Sequence, residues 1–536
     1  MRRSWQCLSW RLAPPPNFLV IVADDMGYAD LGSFGGEINT ANLDALATGG
    51  LRFTQFYNTS RCWPTRASLL TGYYAQQVRR DSMPGFDMRE FGNRGVRPAW
   101  ARLISDRLRE AGYFSYHSGK WHVDGAPLEN GFLHSYQSHT RAGFFHLVGQ
   151  DRDGEPLPDL EPAQGAHLTT ETARHAVEFL REHAEERTGK PFFLYLAFHA
   201  PHFPLHAEQE DIDRYRDRYL VGWDQLRRER HGRQRHLGIT DSPLSLLDED
   251  VGPPYDFPEA IELLGPGEVN RPLPWRRLSE QQRAFQATKM AIHAAMIDRM
   301  DREIGRVLQE VRDMGAFEDT VIFFLSDNGA SAEIMVRGDG HDPDAPPGSA
   351  GTYLCLGPGF SSAANTPFRL HKTWVHEGGI STPLIVHWPA GIRARGEIRS
   401  RVGHVIDIPP TLLELAGLTV PGDAGPPEME GRSLVPAFDR DIASPHEALW
   451  FYHQGNRALR KGDWKIVHTV HSRADGWGSV AAEEDARPGE WQLYDLAADR
   501  SEGKDLARQH PGVVRELASI WESWRDRFGA NAARPD

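Results

Sequence analysis

Cysteine is scarce in this chain: Cys7, Cys62 and Cys355 are the only three in 536 residues. That is too few for the disulfide framework of a small secreted scaffold. Long apolar runs are also missing, and none approaches the ~20 residues that a membrane-spanning helix needs. There is no surplus of positive charge, since 60 Lys and Arg face 74 Asp and Glu, for a formal charge of −14. General nucleic-acid binding is excluded on that ground, because phosphate contacts draw on Lys and Arg. A local basic pocket for an anion remains compatible with it. No segment repeats at a period of roughly 20–50 residues. The 51 Gly and 37 Pro stay below the share of about a quarter that marks low complexity. Collagen, coiled coil and wholesale disorder are thereby excluded. Residues 1–16 lack the apolar core of a secretion signal, because Arg11 interrupts it after a few residues. Arg2-Arg3 resembles part of a twin-arginine signal, again without the apolar stretch. Residues 1–16 are read as a disordered leader. The expected location is cytoplasmic, or periplasmic or secreted if the leader is truncated. Nothing in the sequence specifies an oligomeric state.

Segments that are apolar throughout alternate with amphipathic ones. Phe18–Ala23, Phe114–Ser118, Pro191–Phe198, Thr320–Leu325 and Pro383–His387 read as strands buried on both faces. Asn42–Gly49, Ala99–Ala111, Thr169–His183 and Gln286–Gly315 read as helices, with Gly112 as the stop of the second. The expectation is an α/β fold: a large mixed, mostly parallel sheet sandwiched by helices. Residues 205–280, rich in Arg, Asp, Glu and Pro, read as a surface insertion, and Gly338–Gly359 as a loop. Past Leu434 short strands follow at Ala448–Tyr452, Ala458–Arg460, Trp464–His468 and Trp491–Tyr494, then a helix at Val513–Phe528. The organisation read from this is a catalytic domain over 17–440 and a smaller α+β domain with a short antiparallel sheet over 441–536.

Asp24-Asp25 follows the first strand directly, where open α/β sheets bind their ligands. Adjacent carboxylates repel unless a cation lies between them, and a hard divalent ion with oxygen ligands, Ca²⁺ or Mg²⁺, suits them. The alternative is a helix cap plus a solvated Asp. A second strand ending in Ser326-Asp327-Asn328-Gly329 repeats the pattern and favours the metal. Cys62-Trp63-Pro64-Thr65-Arg66 and Leu70-Thr71-Gly72 then outline a helix with Cys62 at its N-terminus, where backbone N–H groups favour an anion. Arg66 lies one turn on, over the same face. A buried apolar Cys or a Cys–His thiol nucleophile would also account for Cys62, but a thiolate beside a dication is an odd design for a hydrolase.

Cys62-x-Pro64-x-Arg66 with Leu70-Thr71-Gly72 resembles the signature of the type I sulfatases, of the alkaline phosphatase superfamily. Thr65 stands where many members have Ser. The resemblance runs from Pro16 into the C-terminal domain and includes Asp24-Asp25, Gly119-Lys120-Trp121-His122, Ala200-Pro201-His202, Asp327-Asn328 and Lys372 ahead of Glu377-Gly378-Gly379. It implies an arylsulfatase-like hydrolase in which a formylglycine-generating enzyme oxidises Cys62 to Cα-formylglycine. It also implies one Ca²⁺ on Asp24, Asp25, Asp327, Asn328 and residue 62. One hydroxyl of the formylglycine hydrate would attack sulfur, and the other would let the covalent intermediate collapse. Lys120, Lys372, Arg66 and Ca²⁺ would neutralise the sulfate oxygens. Arg66 and His122 would hold the hydrate, and His202, with a near-neutral pKa, would protonate the leaving alcohol. His199 and His206 are read as lining or packing residues, and Cys7 and Cys355 as free thiols. The alternative is a phosphonate monoester or phosphodiester hydrolase of the same superfamily, which tends to carry His at the position of Asn328. A catalytically silent interaction protein is disfavoured because every expected catalytic position is filled. Aryl, sugar and alkyl sulfates all fit.

Overall fold

The computed structural model describes residues 15–81, 95–138, 143–162, 165–338, 340–419, 427–470, 474–475 and 491–535. Apart from Pro15 and Pro16, the expected leader, with Cys7, lies outside them. The strands are β1 (Asn17–Ala23), β2 (Leu51–Tyr57), β3 (Phe114–Gly119), β4 (His134–Ser138), β5 (Gln150–Arg152), β6 (Glu155–Pro156), β7 (Phe192–Ala197), β8 (Tyr255–Asp256), β9 (Thr320–Ser326), β10 (Ser381–His387), β11 (Glu397–Arg399), β12 (Gly403–His404), β13 (Leu449–His453), β14 (Asn456–Lys461), β15 (Trp464–His468), β16 (Ala474–Asp475) and β17 (Gln492–Asp495).

An eleven-stranded sheet runs β11-β2-β10-β9-β1-β7-β3-β4-β5-β6, with β12 beside β2. Its centre, β9-β1-β7-β3-β4, is parallel, and β10 is antiparallel to both β9 and β2. β1 is apolar throughout because both its faces are covered. Leu19 and Ile21 pack into one core with the helices Leu168–Glu186 and Glu280–Asp313. Phe18, Val20 and Val22 pack into the other with the helices Cys62–Thr71 and Ile408–Leu415. The mostly parallel sandwich expected from the sequence is the fold observed. β13-β14-β15-β17 form a separate antiparallel sheet, covered by the helix Pro511–Ala532. Trp450 of β13 stacks on Trp521 of that helix, ring centroids 5.3 Å apart.

Four segments depart from the sequence reading. The helix expected over Ala99–Ala111 is confined to Ile104–Leu108 plus a 3₁₀ turn at Arg109–Ala111. Leu103 is extended, and the Arg97 guanidinium holds the Ala101 carbonyl at 2.6 Å, so the first turn cannot form. The long helix starts at Glu280 rather than Gln286, since Ser279 and Gln282 close a capping box there. Residues 205–280 are not a mere surface insertion. Tyr219, Trp223 and Arg230 are fully buried, and Arg230 bridges Asp30 and Glu37 at 2.8 Å each. The charge that suggested exposure is paired inside. The expected loop 338–359 ends early, where the buried helix Gly357–Ala364 begins.

Candidate active site

The register of the sheet builds the site. Ala23 lies level with Ser326, Val22 with Ala197, and Ala197 with Gly119. The carboxyl ends of β1, β9, β7 and β3 therefore deliver Asp24-Asp25, Asp327-Asn328, His199–His202 and Lys120–His122 to one edge. β10 runs the opposite way, so its amino end brings the segment after Lys372 to the same edge. β2 leads through Asn58–Arg61 into the helix Cys62–Thr71, which ends at Gly72 with φ 80°. Gly119 makes the turn after β3 feasible: its φ is 112°, and a Cβ there would lie 2.0 Å from the Ala197 carbonyl oxygen. Asp25, Ser60, His122 and Thr373 also have positive φ, a concentration of strained backbone of the kind found at functional sites.

Among the described residues, ligand atoms of Asp24, Asp25 and His202 lie within 4.8 Å of one another. Lys120 Nζ donates to Asp24 Oδ2. Arg66 donates from Nε to Asp327 Oδ2 at 2.9 Å and from Nη1 to the Lys120 carbonyl at 3.1 Å, and its Nη2 lies 4.0 Å from Asp24. Lys372 Nζ lies 2.8 Å from Asp25, Asn328 Nδ2 donates to Asp25 Oδ1 at 2.7 Å, and His202 Nε2 lies 3.6 Å from Asp25 Oδ2. Eight of the ten residues singled out in the sequence thus share one contact network. Cys62 and His122 border it. Cys62 is the first residue of its helix and 3% exposed. His122 keeps a buried Nδ1 that no group bonds, while its carbonyl accepts from Arg80 at 3.0 Å. Arg66, expected on the sulfate oxygens, is turned toward Asp327.

Burial alone would raise Asp24, but Lys120, His202, Arg66 and Lys372 hold it well below the usual carboxylate range. Burial, with Asp24 beside it, pushes Asp327 up to about 7 against the pull of Arg66. Asp24 and Asp327, side by side, are thus shifted in opposite directions. Asp24 Oδ1 and Asn328 Oδ1 are buried oxygens that accept no hydrogen bond. Buried hard oxygen donors without proton donors fit a hard divalent cation. Burial raises the Cys62 thiol, against Lys120 and Lys372, so an unmodified Cys62 is a poor thiolate nucleophile. Burial lowers His202 to about 4, below the near-neutral value expected from the sequence, with Asp25 opposing the shift. Its Nδ1–H donates to the Phe203 carbonyl at 2.5 Å, which leaves Nε2 as the atom facing the cluster.

Glu333 and Tyr195 also belong to the site and were not legible in the sequence, whereas His199 and His206 are read there as lining or packing residues. Glu333 lies 2.9 Å from Arg61 Nη1 and 3.2 Å from Lys372 Nζ, with its side chain 1% exposed. Tyr195 places its hydroxyl 3.3 Å from Arg66 Nη1. His199 stands close enough to Lys120, Asp24, Arg66 and His202 for their charges to act on it, whereas His206 packs between the Phe144 N–H and the Thr352 carbonyl. Tyr195 is hidden within an apolar strand, and Glu333 belongs to no motif.

Fixed cations facing a cluster of carboxylates that could hold a metal ion suit the hydrolysis of an anionic ester. The Sulfatase family profile matches residues 16–418, and the profile "N-sulphoglucosamine sulphohydrolase, C-terminal" matches residues 368–523. An uncharacterized sulfatase of Schizosaccharomyces pombe is 30% identical over 97% of this chain and 95% of its own length. Arylsulfatase of Klebsiella aerogenes is 33% identical over 75% of this chain and 87% of its own. The solved structure of BT4656 in complex with its substrate D-glucosamine-2-N,6-O-disulfate superposes with a TM-score of 0.62 at 19% identity, covering 97% of this chain and 99% of that one. The chain belongs to the sulfatase family, and its activity is the hydrolysis of sulfate esters.

Proposed function

We propose that this sulfatase uses Cys62 as Cα-formylglycine, installed by a formylglycine-generating enzyme, and one Ca²⁺ held by Asp24, Asp25, Asp327, Asn328 and residue 62. The observation that supports it most directly is the pair of buried oxygens without a hydrogen-bond partner, Asp24 Oδ1 and Asn328 Oδ1, among three converging carboxylates. When present, the ion supplies positive charge for the sulfate oxygens, and the modified residue supplies a hydroxyl nucleophile with a second hydroxyl on the same carbon. Lys120 and Lys372, whose ammonium groups sit on Asp24 and Asp25 respectively, bind and orient the sulfate. Arg66 fixes Asp327 and the Lys120 backbone in place. His202 delivers a proton from Nε2 to the departing alcohol. It must first take up that proton, and an anionic ester beside it raises its affinity for one. Neutral His122, held well below its ordinary pKa by burial and by Lys120 and Arg66, offers a hydrogen bond rather than a charge. The substrates are sulfate monoesters of aryl, alkyl or carbohydrate alcohols.

Mass spectrometry of the peptide containing Cys62 tests the modification, which exchanges H₂S for one oxygen. Chelation should remove activity and Ca²⁺ should restore it. Cys62→Ser should stop multiple turnovers, because serine has no second hydroxyl. An unmodified Cys62 in fully active protein, or full activity without metal, contradicts the proposal.

A further inference from the structure

Lys372 faces a conflict that Glu333 resolves. Its Nζ, with the side chain fully buried, lies 2.8 Å from Asp25 and 3.2 Å from Glu333. Asp25 also receives Asn328 Nδ2 at 2.7 Å and faces His202 Nε2 at 3.6 Å. Lys372 Nζ lies 2.8 Å from each of the two Asp25 oxygens, so a metal on either one competes with the ammonium. Taking that ammonium off Asp25 with no other counter-charge would strand a buried cation, which is strongly unfavourable. Glu333 is the second counter-charge. It is rigidly placed: Arg61 Nη1 donates to its Oε1 at 2.9 Å, and the Ser331 hydroxyl to its Oε2 at 2.9 Å. Arg61 in turn donates to Thr373 Oγ1 at 2.9 Å, on the residue after Lys372, and stacks over Trp63 at 5.1 Å. The whole bridge is thus tied both to the lysine segment and to the turn that carries Cys62.

We propose that Glu333 is a positioning residue that draws Lys372 off Asp25, freeing the carboxylate for the metal and the ammonium for a sulfate oxygen. The proposal rests on the roles assigned above to Asp25 and Lys372. Glu333 touches neither substrate nor metal.

The test is Ca²⁺ binding by calorimetry, on protein stripped by chelator, for the parent, Glu333→Gln, Lys372→Met and the double variant. Thermal melting confirms that each is folded. Glu333→Gln should weaken Ca²⁺ by roughly 10–100-fold, the usual effect of losing a supporting partner. It should also raise KM and the inhibition constant of inorganic sulfate more than it lowers kcat. In the Lys372→Met background the same substitution should cost little Ca²⁺ affinity, because no ammonium is left to compete. An equal loss in both backgrounds would mean that Glu333 acts only by its charge at a distance, and would overturn the proposal, as would no loss in either. If Lys372→Met leaves KM and sulfate inhibition unchanged, the assignment of Lys372 to the sulfate fails instead, which separates the two ideas. Should Glu333→Gln not fold, Glu333→Asp serves: it keeps the charge but cannot span Arg61 and Lys372, and its loss must likewise vanish with Lys372→Met.

Discussion

His202 is the residue whose assigned task is most open to measurement. A general acid matters in proportion to how poor the leaving group is. A departing phenolate needs little help, whereas an alkoxide needs nearly a full proton. His202→Ala is therefore expected to slow an alkyl sulfate more than a nitrophenyl sulfate, by a further factor of roughly 10²–10⁴. Lys120→Ala and Lys372→Ala should slow both alike, because the sulfate group is common to both substrates. The measurement is kcat/KM across leaving groups of graded pKa. An unchanged slope in His202→Ala would transfer the role to another site histidine, His122 or His199. The residues legible in the sequence were those in short motifs with a chemical reason for their spacing, such as Asp24-Asp25 and Cys62-x-Pro64-x-Arg66. Glu333 was not, because its role arises only when chain segments far apart in sequence come together. The low pKa of His202 was equally unreadable, being set by burial.

At the scale of elements, strand ends proved readable and connections did not. Strands buried on both faces advertise themselves by continuous apolar runs. The segment 205–280 hides its burial, because Arg230 enters the interior already paired with Asp30 and Glu37. A chain's charge content cannot reveal whether its charges meet. The turn after β3 is the element most sensitive to a single atom. Gly119→Ala would set a Cβ 2.0 Å from the Ala197 carbonyl oxygen at φ 112°. It is expected to destabilise by at least about 1–3 kcal/mol, the scale of strained backbone positions, and to lower kcat/KM by displacing Lys120. Gly112→Ala is the control: φ there is also positive, at 80°, but a Cβ would have nothing within 4 Å. It should lower the melting temperature without changing kcat/KM in the folded protein.

At the scale of the whole molecule, a buried ion cluster joins the C-terminal sheet to the catalytic edge. Glu377, just ahead of β10, accepts from Lys465 of β15 at 2.9 Å, Arg500 at 2.8 Å and the Tyr57 hydroxyl at 2.8 Å. Glu502 shares Lys465 at 2.8 Å and accepts the Glu377 N–H at 2.7 Å. Burial would raise Glu377, but Lys465, Arg500 and Arg460 hold it down to about 2. Burial, with Glu377 nearby, pushes Glu502 up to about 7. The two act on stability in opposite directions. Glu377, lowered on folding, stabilises above its unfolded value of about 4.5, and that contribution is lost as pH falls toward 2. Glu502, raised on folding, favours the folded state below about 4.5, and that contribution is lost as pH rises through about 7. Glu502→Gln should therefore remove a decline in melting temperature between about pH 4.5 and 7. Glu377→Gln should destabilise at neutral pH by about 3–5 kcal/mol, the usual cost of leaving buried cations uncompensated. Thermal melts of both variants across that pH range check the signs.

The position of β1 carries a consequence for how the molecule is made. It is the earliest of the described strands in chain order, yet it lies between β7 and β9, and its pairing partners on the second side begin at Thr320. At a synthesis rate of about 5–20 residues per second, one edge of β1 waits on the order of 15–60 s for its neighbour to leave the ribosome. Such a strand, apolar on both faces and unpaired, is exposed to wrong partners throughout that interval. The same delay keeps the helix Cys62–Thr71, all of whose residues are buried in the finished fold, from being sealed in. A modifying enzyme that must reach Cys62 would have its opening then, during biogenesis, and lose it once the sheet closes.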